Sequence, residues 1–238
     1  PIHEPICRKL GVSISRQSAL VCANVCCRIS WDEKWDQLSG RGKQPKEELE
    51  VGISINRTNS GTSLTGGDAS TVKRLERYVW GNGKGWFSAS YGPFRRFRGG
   101  DSELEQNYLR LPQLGRHLSL FDEGVALTEC LKWLQLLRFR ELEQRPGGQI
   151  LDKITNFVNQ DGFLPFQSRL TKITSESVLF TDGNGLQIEV ENLSDGYRSI
   201  LSMMFELIRQ MISVYGEDRV FDSTDPTRVI APGIVLID

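Results

Sequence analysis

Between Glu176 and Tyr215 the spacing of apolar residues switches from two to three or four, and that switch restricts the fold more than any other feature of the chain. In "ESVLFTDGNGLQIEVENL" side chains alternate on both sides of Asp182-Gly183-Asn184-Gly185, where Gly and Asn tolerate the positive φ of a tight hairpin turn. From Ser194 onward, Ile200, Leu201, Met204, Leu207, Ile208, Met211 and Tyr215 recur at helical spacing. The pattern predicts a hairpin feeding a long amphipathic helix. A polar insert, "GEDRVFDSTDPTRV", then separates that helix from the terminal "GIVLID".

The rest of the chain reads less sharply. "ALVCANVCCRISW" and "LEVGISINR" alternate as two strands of an antiparallel meander, the second with Val51, Ile53 and Ile55 on one face. Between them "DEKWDQLSGRGKQPKEE" is expected to be a surface loop. "GDASTVKRLERYVWG" predicts a short helix capped by Asp68 or Ser70, and the first half of "GWFSASYGPFRRFRGG" a strand ended by Gly92-Pro93. A helix over about 121–143 carries Val125, Leu127, Leu131, Leu134, Leu137 and Leu142, and another covers about 149–158 after "PGG". Residues 1–18 are weakly patterned, and no internal repeat is present.

The 29 basic and 30 acidic residues leave a formal charge of −1, so a nucleic-acid contact has to come from a local patch. No run of eighteen apolar residues and no signal pattern occurs, so no membrane contact is indicated and a cytoplasmic location is expected. Three of the five cysteines, Cys22, Cys26 and Cys27, crowd one strand. They lack a second ligand pair at matched spacing, which points to buried reduced thiols rather than a metal site.

The start of the long helix, "ENLSDGYRS", poses a chemical question. Ser194 is placed as an N-cap, and Asp195 suits a first turn whose unpaired amides make a positive pole. Gly196 is a poor helix former unless something must approach the backbone closely. Arg198 puts a cation at the positive end of the dipole, which is unfavourable unless an anion joins it. Amides, a hydroxyl, a small residue and a cation around one helix terminus suit a phosphate.

"LSDGYRS", preceded by a hairpin strand and followed one helix later by "GIVLID", resembles the signature motif and Walker B strand of ABC-type ATPases. The branch it is similar to is the AAA-family group whose heads include those of chromosome-maintenance (SMC) proteins, RecF and the overcoming-lysogenization-defect (OLD) nucleases. "SASYGPFRR" and "LSLFDEGVALTECLKWLQLL" are similar to a bacterial subgroup found in anti-phage defence, in Septu-like and retron-associated systems among others. The resemblance spans most of residues 19–238, with its specificity concentrated in the signature and Walker B segments.

What the resemblance implies is an α/β P-loop NTPase of the ABC-ATPase head type, with an antiparallel meander, a parallel core and an inserted helical lobe. Residues 1–100 are then part of the core lobe, 101–170 the helical lobe, and 171–238 the signature hairpin, signature helix and Walker B strand. The cofactors implied are ATP and Mg2+. Ser194 and Gly196 match the signature serine and glycine that in the family reach the γ-phosphate of ATP held by the opposite subunit. Asp195 and Tyr197 stand where Gly and Gln are commoner, and with Ser194, Gly196 and Arg198 they are candidate nucleotide contacts. Arg198 either adds charge stabilisation in trans to phosphoryl transfer or pairs with Glu191 or Asp195. Ile234 to Ile237 read as a fully buried parallel strand that ends in a magnesium-directing Asp238.

No GxxxxGK[ST] occurs, since "GRGKQ" and "GNGKG" lack both the earlier Gly and the following Ser or Thr; both are expected in loops. The phosphate-cradling loop is therefore expected before Pro1 and the water-activating glutamate after Asp238, the chain being an internal piece of a longer ATPase and inactive by itself. "YGPFRR" stands at the place of the family's Q-loop without its glutamine; Tyr91, Arg95 and Arg96 are candidate nucleotide contacts. Arg95, Arg96 and Arg98 could equally bind DNA or solvate a loop. The expected function is ATP binding and hydrolysis by a homodimer closed around nucleotide, acting on DNA in phage defence or repair with a nuclease effector. The other reading is a non-catalytic ATPase-like binding module or separated lobe.

Overall fold

Two alternating runs in a meander bury one face each only if their registers match apolar to apolar. The computed structural model describes residues 10–17, 20–38, 43–58, 61–80, 83–84, 86–93, 112–121 and 129–238. After β1 (Leu10–Gln17) and β2 (Leu20–Ile29), a two-residue strand β3 (Gln37–Leu38) precedes β4 (Leu49–Thr58) and β5 (Gly61–Gly66). Four of these form an antiparallel sheet in the order β1-β2-β4-β5. Its register sets Ile29 opposite Leu49, Cys27 opposite Val51 and Val25 opposite Ile53, while the alternate positions include the polar pairs Arg28–Glu50 and Asn24–Ser54. There Arg28 pairs with Glu50 at 3.3 Å and Ser54 donates to Asn24 Oδ1 at 2.7 Å. The expected meander is present. Its outer strands come from stretches without a clear pattern, because an edge strand such as "GTSLTG" pairs through its backbone while all its residues stay exposed.

Helix α1 (Ala69–Leu75) starts where expected. The Asp68 carboxylate accepts the Thr71 amide at 2.6 Å and the Ser70 hydroxyl at 2.9 Å, and these bonds, the Thr71 amide first, hold it below the ordinary carboxylate range. A π-helical turn, Glu76–Trp80, continues it. Leu75, Tyr78 and Val79 pack with Trp86 on Ile29, Leu49 and Cys27 as a small core. The stretch expected as a surface loop is partly internal. Trp35 and Asp36 are buried, Asp36 accepts the Asp32 amide at 2.9 Å, and β3 pairs with β6 (Gly83–Lys84) from within "GNGKG". Cys22, Cys26 and Cys27 are half-buried rather than buried, with Cys22 donating to Asn56 and Cys26 to Glu50.

The chain divides into two compact units, Pro1–Trp86 and Phe87–Asp238. The lobe boundary expected at 100 lies outside the described residues, and that at 170 falls inside a strand. The second unit runs β7 (Ser88–Tyr91), α2 (Pro112–Gly115), α3 (Leu118–Phe121), α4 (Glu129–Leu142), α5 (Ile150–Val158), β8 (Arg169–Ile173), β9 (Val178–Thr181) and β10 (Gln187–Glu189). It continues through α6 (Asp195–Tyr215), α7 (Glu217–Val220) and β11 (Ile234–Ile237). Strands β10-β9-β8 form an antiparallel sheet, whereas β11 pairs with β7 in parallel, Ile234 opposite Ser88 and Ile237 opposite Tyr91. The molecule is thus a mixed α/β protein with antiparallel and parallel sheets.

The core of this unit lies on α6, whose Leu201, Phe205, Ile208 and Ile212 are buried, and on α4, where Cys130, Leu134 and Leu137 are buried. Val125 and Leu127 lie outside the described residues. Leu142, expected in the same apolar stripe, is 64% exposed. Eight residues beyond Leu134, it is rotated about 80° from that line, because the helix turns about 100° per residue. The β11 strand also departs from expectation. Its single strand neighbour among the described residues is β7, and Leu236 and Ile237 are 52% and 58% exposed rather than fully buried.

A histidine ties the α2–α3 turn to β7. His117 Nε2 lies 3.1 Å from Ser88 Oγ and Nδ1 2.9 Å from Ser90 Oγ, while the Ser90 amide donates to the Arg116 carbonyl at 2.9 Å. The approach requires glycine at 92, where a Cβ would stand 2.2 Å from the Ser119 carbonyl oxygen. Burial, and then the Arg116 charge, lower the His117 pKa below the ordinary histidine value. Among the described residues no helix is long and apolar enough to cross a membrane.

Leu134→Ala is expected to destabilise the protein by about 2–5 kcal/mol in urea unfolding, and Leu142→Ala by less than about 0.5 kcal/mol. Because folding lowers the His117 pKa, the unfolded state takes up the proton first. Its contribution to stability is therefore complete above the ordinary histidine range and declines as pH falls through about 6.5 toward the lower folded value. His117→Gln should remove that component of the slope of stability against pH.

Candidate functional site at the first turn of the long helix

The hairpin before α6 forms because one carboxylate organises its turn. Asp182 Oδ1 accepts the amides of Leu186 and Asn184, each at 2.9 Å, and these bonds, Leu186 first, hold it below the ordinary carboxylate range. Gly185 takes the positive φ, at 83°. Gly183 serves close approach instead: its amide donates to the Phe166 carbonyl at 3.0 Å, and a Cβ there would stand 2.7 Å from the same oxygen. The segment it meets is strained, with Phe166 and Gln167 both left-handed at φ 53° and 54°. Such backbone costs of order 1–3 kcal/mol per residue and persists only when its surroundings hold it. Phe166 is also 81% exposed.

Tyr197 supplies part of that hold. From the first turn of α6 its hydroxyl donates to the Pro165 carbonyl at 2.8 Å and lies 3.3 Å from Ser168 Oγ. Between hairpin, strained segment and helix start is an open cavity of about 510 Å3, lined by Phe166, Ser168, Asn184, Asn192, Ser194 and Tyr197 among others.

The other residues of the turn take distinct roles. Ser194 occupies the N-cap position with extended backbone, but its exposed side chain makes no capping bond. Its hydroxyl is thus not used by its own helix, contrary to the simple capping reading. Gly196 faces open space, with nothing within 4 Å of where a Cβ would be. Asp195 and Arg198 form an ion pair, and Arg198 Nη1 donates to the Glu191 carbonyl at 3.1 Å. Of the two alternatives for Arg198, the local pairing is the one observed. It also neutralises the carboxylate that would oppose an anion at this helix terminus.

The helix runs opposite to the parallel pair. Its Tyr215 hydroxyl donates to the Pro232 carbonyl at 2.7 Å and its ring lies 6.5 Å from that of Phe87, so the C-terminal end of α6 sits at the beginnings of β11 and β7. Glu206, Arg209 and Gln210 face Tyr91, at the end of β7. The first turn therefore projects up to about 16 Å along the helix axis beyond Glu206, at 1.5 Å per residue.

Not all the candidate residues join this turn. Tyr91 is 1% exposed, which excludes it as a nucleotide contact at the surface: its ring points toward α6. Arg95, Arg96 and Arg98 lie outside the described residues. Asp238 is exposed, and its amide extends the ladder by donating to the Tyr91 carbonyl at 3.0 Å. Among the described residues no group of three or more His, Cys, Asp or Glu side chains surrounds any point. The sequence reading passed over Phe166 and the bracing by Tyr197; a lone Phe after Pro165 carries no periodic signal. No family model matches the chain, and no curated protein matches it.

Tyr197→Phe is expected to cost about 0.5–1.5 kcal/mol of stability. The amides of Ser168 and Gly183, which bond to Pro165 and Phe166, should exchange hydrogen faster in the variant, while those of the α6 core stay protected.

Proposed function

We propose that the chain is part of the ATP-binding and hydrolysing head of an ABC-type, SMC-like ATPase with the P-loop NTPase fold, and that the first turn of α6 meets the γ-phosphate of ATP held by a second copy. One observation carries the reading: Ser194 and Gly196 stand exposed at an open helix N-terminus, with the hydroxyl making no capping bond and no atom filling the space above the glycine. The parallel pairing of β7 with β11, and the antiparallel course of α6 across it, support the same reading.

In this proposal the Ser194 hydroxyl and the amides of the first turn donate to phosphate oxygens, and Gly196 lets the backbone approach them. Asp238 directs Mg2+ at the end of β11. Arg198 stays a positioning residue while paired with Asp195, and reaches phosphate only if that pair opens. Closure around nucleotide makes the homodimer ATP-dependent, since the ligand belongs to the interface. The output is proposed to be action on DNA in phage defence or repair, with a nuclease effector, in the cytoplasm.

A second reading, a non-catalytic ATPase-like binding module, is favoured by the internal pairing of Arg198 and by the lack of any GxxxxGK[ST] in the sequence. ATP turnover separates the two. In the intact ATPase, Ser194→Arg should lower turnover by about 100- to 1,000-fold, the range for loss of one oxyanion donor, with ATP affinity at the phosphate-cradling loop retained. Unchanged turnover would reject the assignment of Ser194. The 238-residue chain by itself should show no turnover, as it contains no phosphate-cradling loop.

A further inference from the structure

We propose that the groove between α1 and residues 43–48 binds the sugar-phosphate backbone of a nucleic acid without regard to base sequence. Lys46, Lys73, Arg74 and Arg77 line this cavity of about 440 Å3, with Glu47 as the one carboxylate. In a chain whose charges balance to −1, that concentration is local. Among the described residues none of the four cations forms an ion pair, whereas Arg28, Arg138, Arg145, Arg169, Arg198 and Arg209 each have a carboxylate partner.

The placement is built by the fold. Lys73 and Arg74 lie on α1 and Arg77 on the π-helical turn that continues it, and all three open into the same cavity. Lys46 comes from the opposing segment, which Tyr78 ties to the helix by donating to the Lys43 carbonyl at 3.4 Å. The Arg77 guanidinium lies over the Tyr78 ring, 5.4 Å from its centre, and that ring also meets Trp31 edge-on at 6.3 Å.

Three features select a nucleic-acid backbone. No lining cation is buried, so there is no desolvated pocket of the kind that holds a single phosphate or nucleotide. Exposed cations in a row instead gain by releasing counterions from a polyanion, a little at each phosphate. Tyr78, the one aromatic residue of the lining, is engaged by Arg77 and Trp31, which leaves no ring for base stacking and hence no base readout. No exposed large apolar side chain lines the groove to enter a lipid surface. The inference stands on the first unit alone and is independent of the ATP reading.

The test titrates the whole chain into a fluorescein-labelled duplex of about 20 base pairs, and into a single strand of that length, by anisotropy over a range of salt. A site of four phosphate contacts predicts a slope of log K against log salt near −3.6 on duplex, at about −0.9 per contact. Lys73→Glu, Arg74→Glu and Arg77→Glu together should weaken binding at least tenfold at low salt and flatten that slope by about 2.7. Lys172→Glu, an exposed position in β8, should leave both unchanged. An unaltered circular dichroism spectrum and melting point show that the triple variant folds; should it not fold, Lys46→Glu and Lys73→Glu singly should each weaken binding and reduce the slope by about 0.9. No binding by the wild type, unchanged affinity in the folded variants, displacement by pyrophosphate beyond its ionic-strength effect, or tighter binding to phosphatidylserine vesicles would each overturn the proposal.

Discussion

A carboxylate inside the long helix constrains the whole second unit. Glu206 is buried on α6, where it accepts two bonds from Arg209, at 2.6 and 2.8 Å, and one from Gln210 at 2.6 Å. Removing one member of such a pair leaves an uncompensated buried charge and costs about 3–5 kcal/mol. The rotation of α6 about its own axis is therefore restricted: Glu206 has to face inward, and Arg209, partly exposed, has to reach it from the rim. Burial, and then the Glu206 charge, push the Tyr91 phenol and the Cys130 thiol well above their ordinary pKa values, so both stay neutral. The end of β7 and the start of α4 are in this way held against one turn of α6.

With its middle held, the helix carries its first turn outward, and the odd composition of that turn becomes intelligible. An N-cap serine ordinarily accepts an amide of its own helix, and glycine is a poor helix former. Here Tyr197 faces back to brace the strained Phe166–Gln167 backbone, and Asp195 and Arg198 cancel each other's charge. What remains facing solvent is a hydroxyl, a glycine and the free amides of a helix start. Each residue type is accounted for by contacts of its own unit except Ser194 and Gly196, and those two are the ones on which the ATP reading depends.

Legibility in the sequence followed the physics of each element. The hairpin at Asp182–Gly185, the helix from Ser194, the helix at 150–158 and the meander of β2 and β4 were readable, because period and turn chemistry are local properties. The edge strands β1 and β5 were not, since edge pairing is a backbone property that asks little of the side chains. Leu142 misled because one-dimensional spacing tolerates drift that the helix surface does not. Tyr91 misled for a different reason: a strand end next to a Gly-Pro break looks exposed, yet its side chain turned inward to α6. The basic groove gave no contiguous signal, since Lys46 is 27 residues from Lys73 and meets it through the packing of α1.

The sequence by itself determined the central strands of the meander, the hairpin and the main helices, where the long helix begins, and that no global charge drives this chain toward a polyanion. Those properties depend on nearest neighbours and on sums, both of which a linear string contains. Tertiary structure alone decided that Ser194 leaves its own helix uncapped, that Arg198 is locally paired, and that β7 and β11 run side by side in parallel. Partner choice among side chains depends on which groups distant in sequence are brought within hydrogen-bonding reach, and only the packed chain sets those distances.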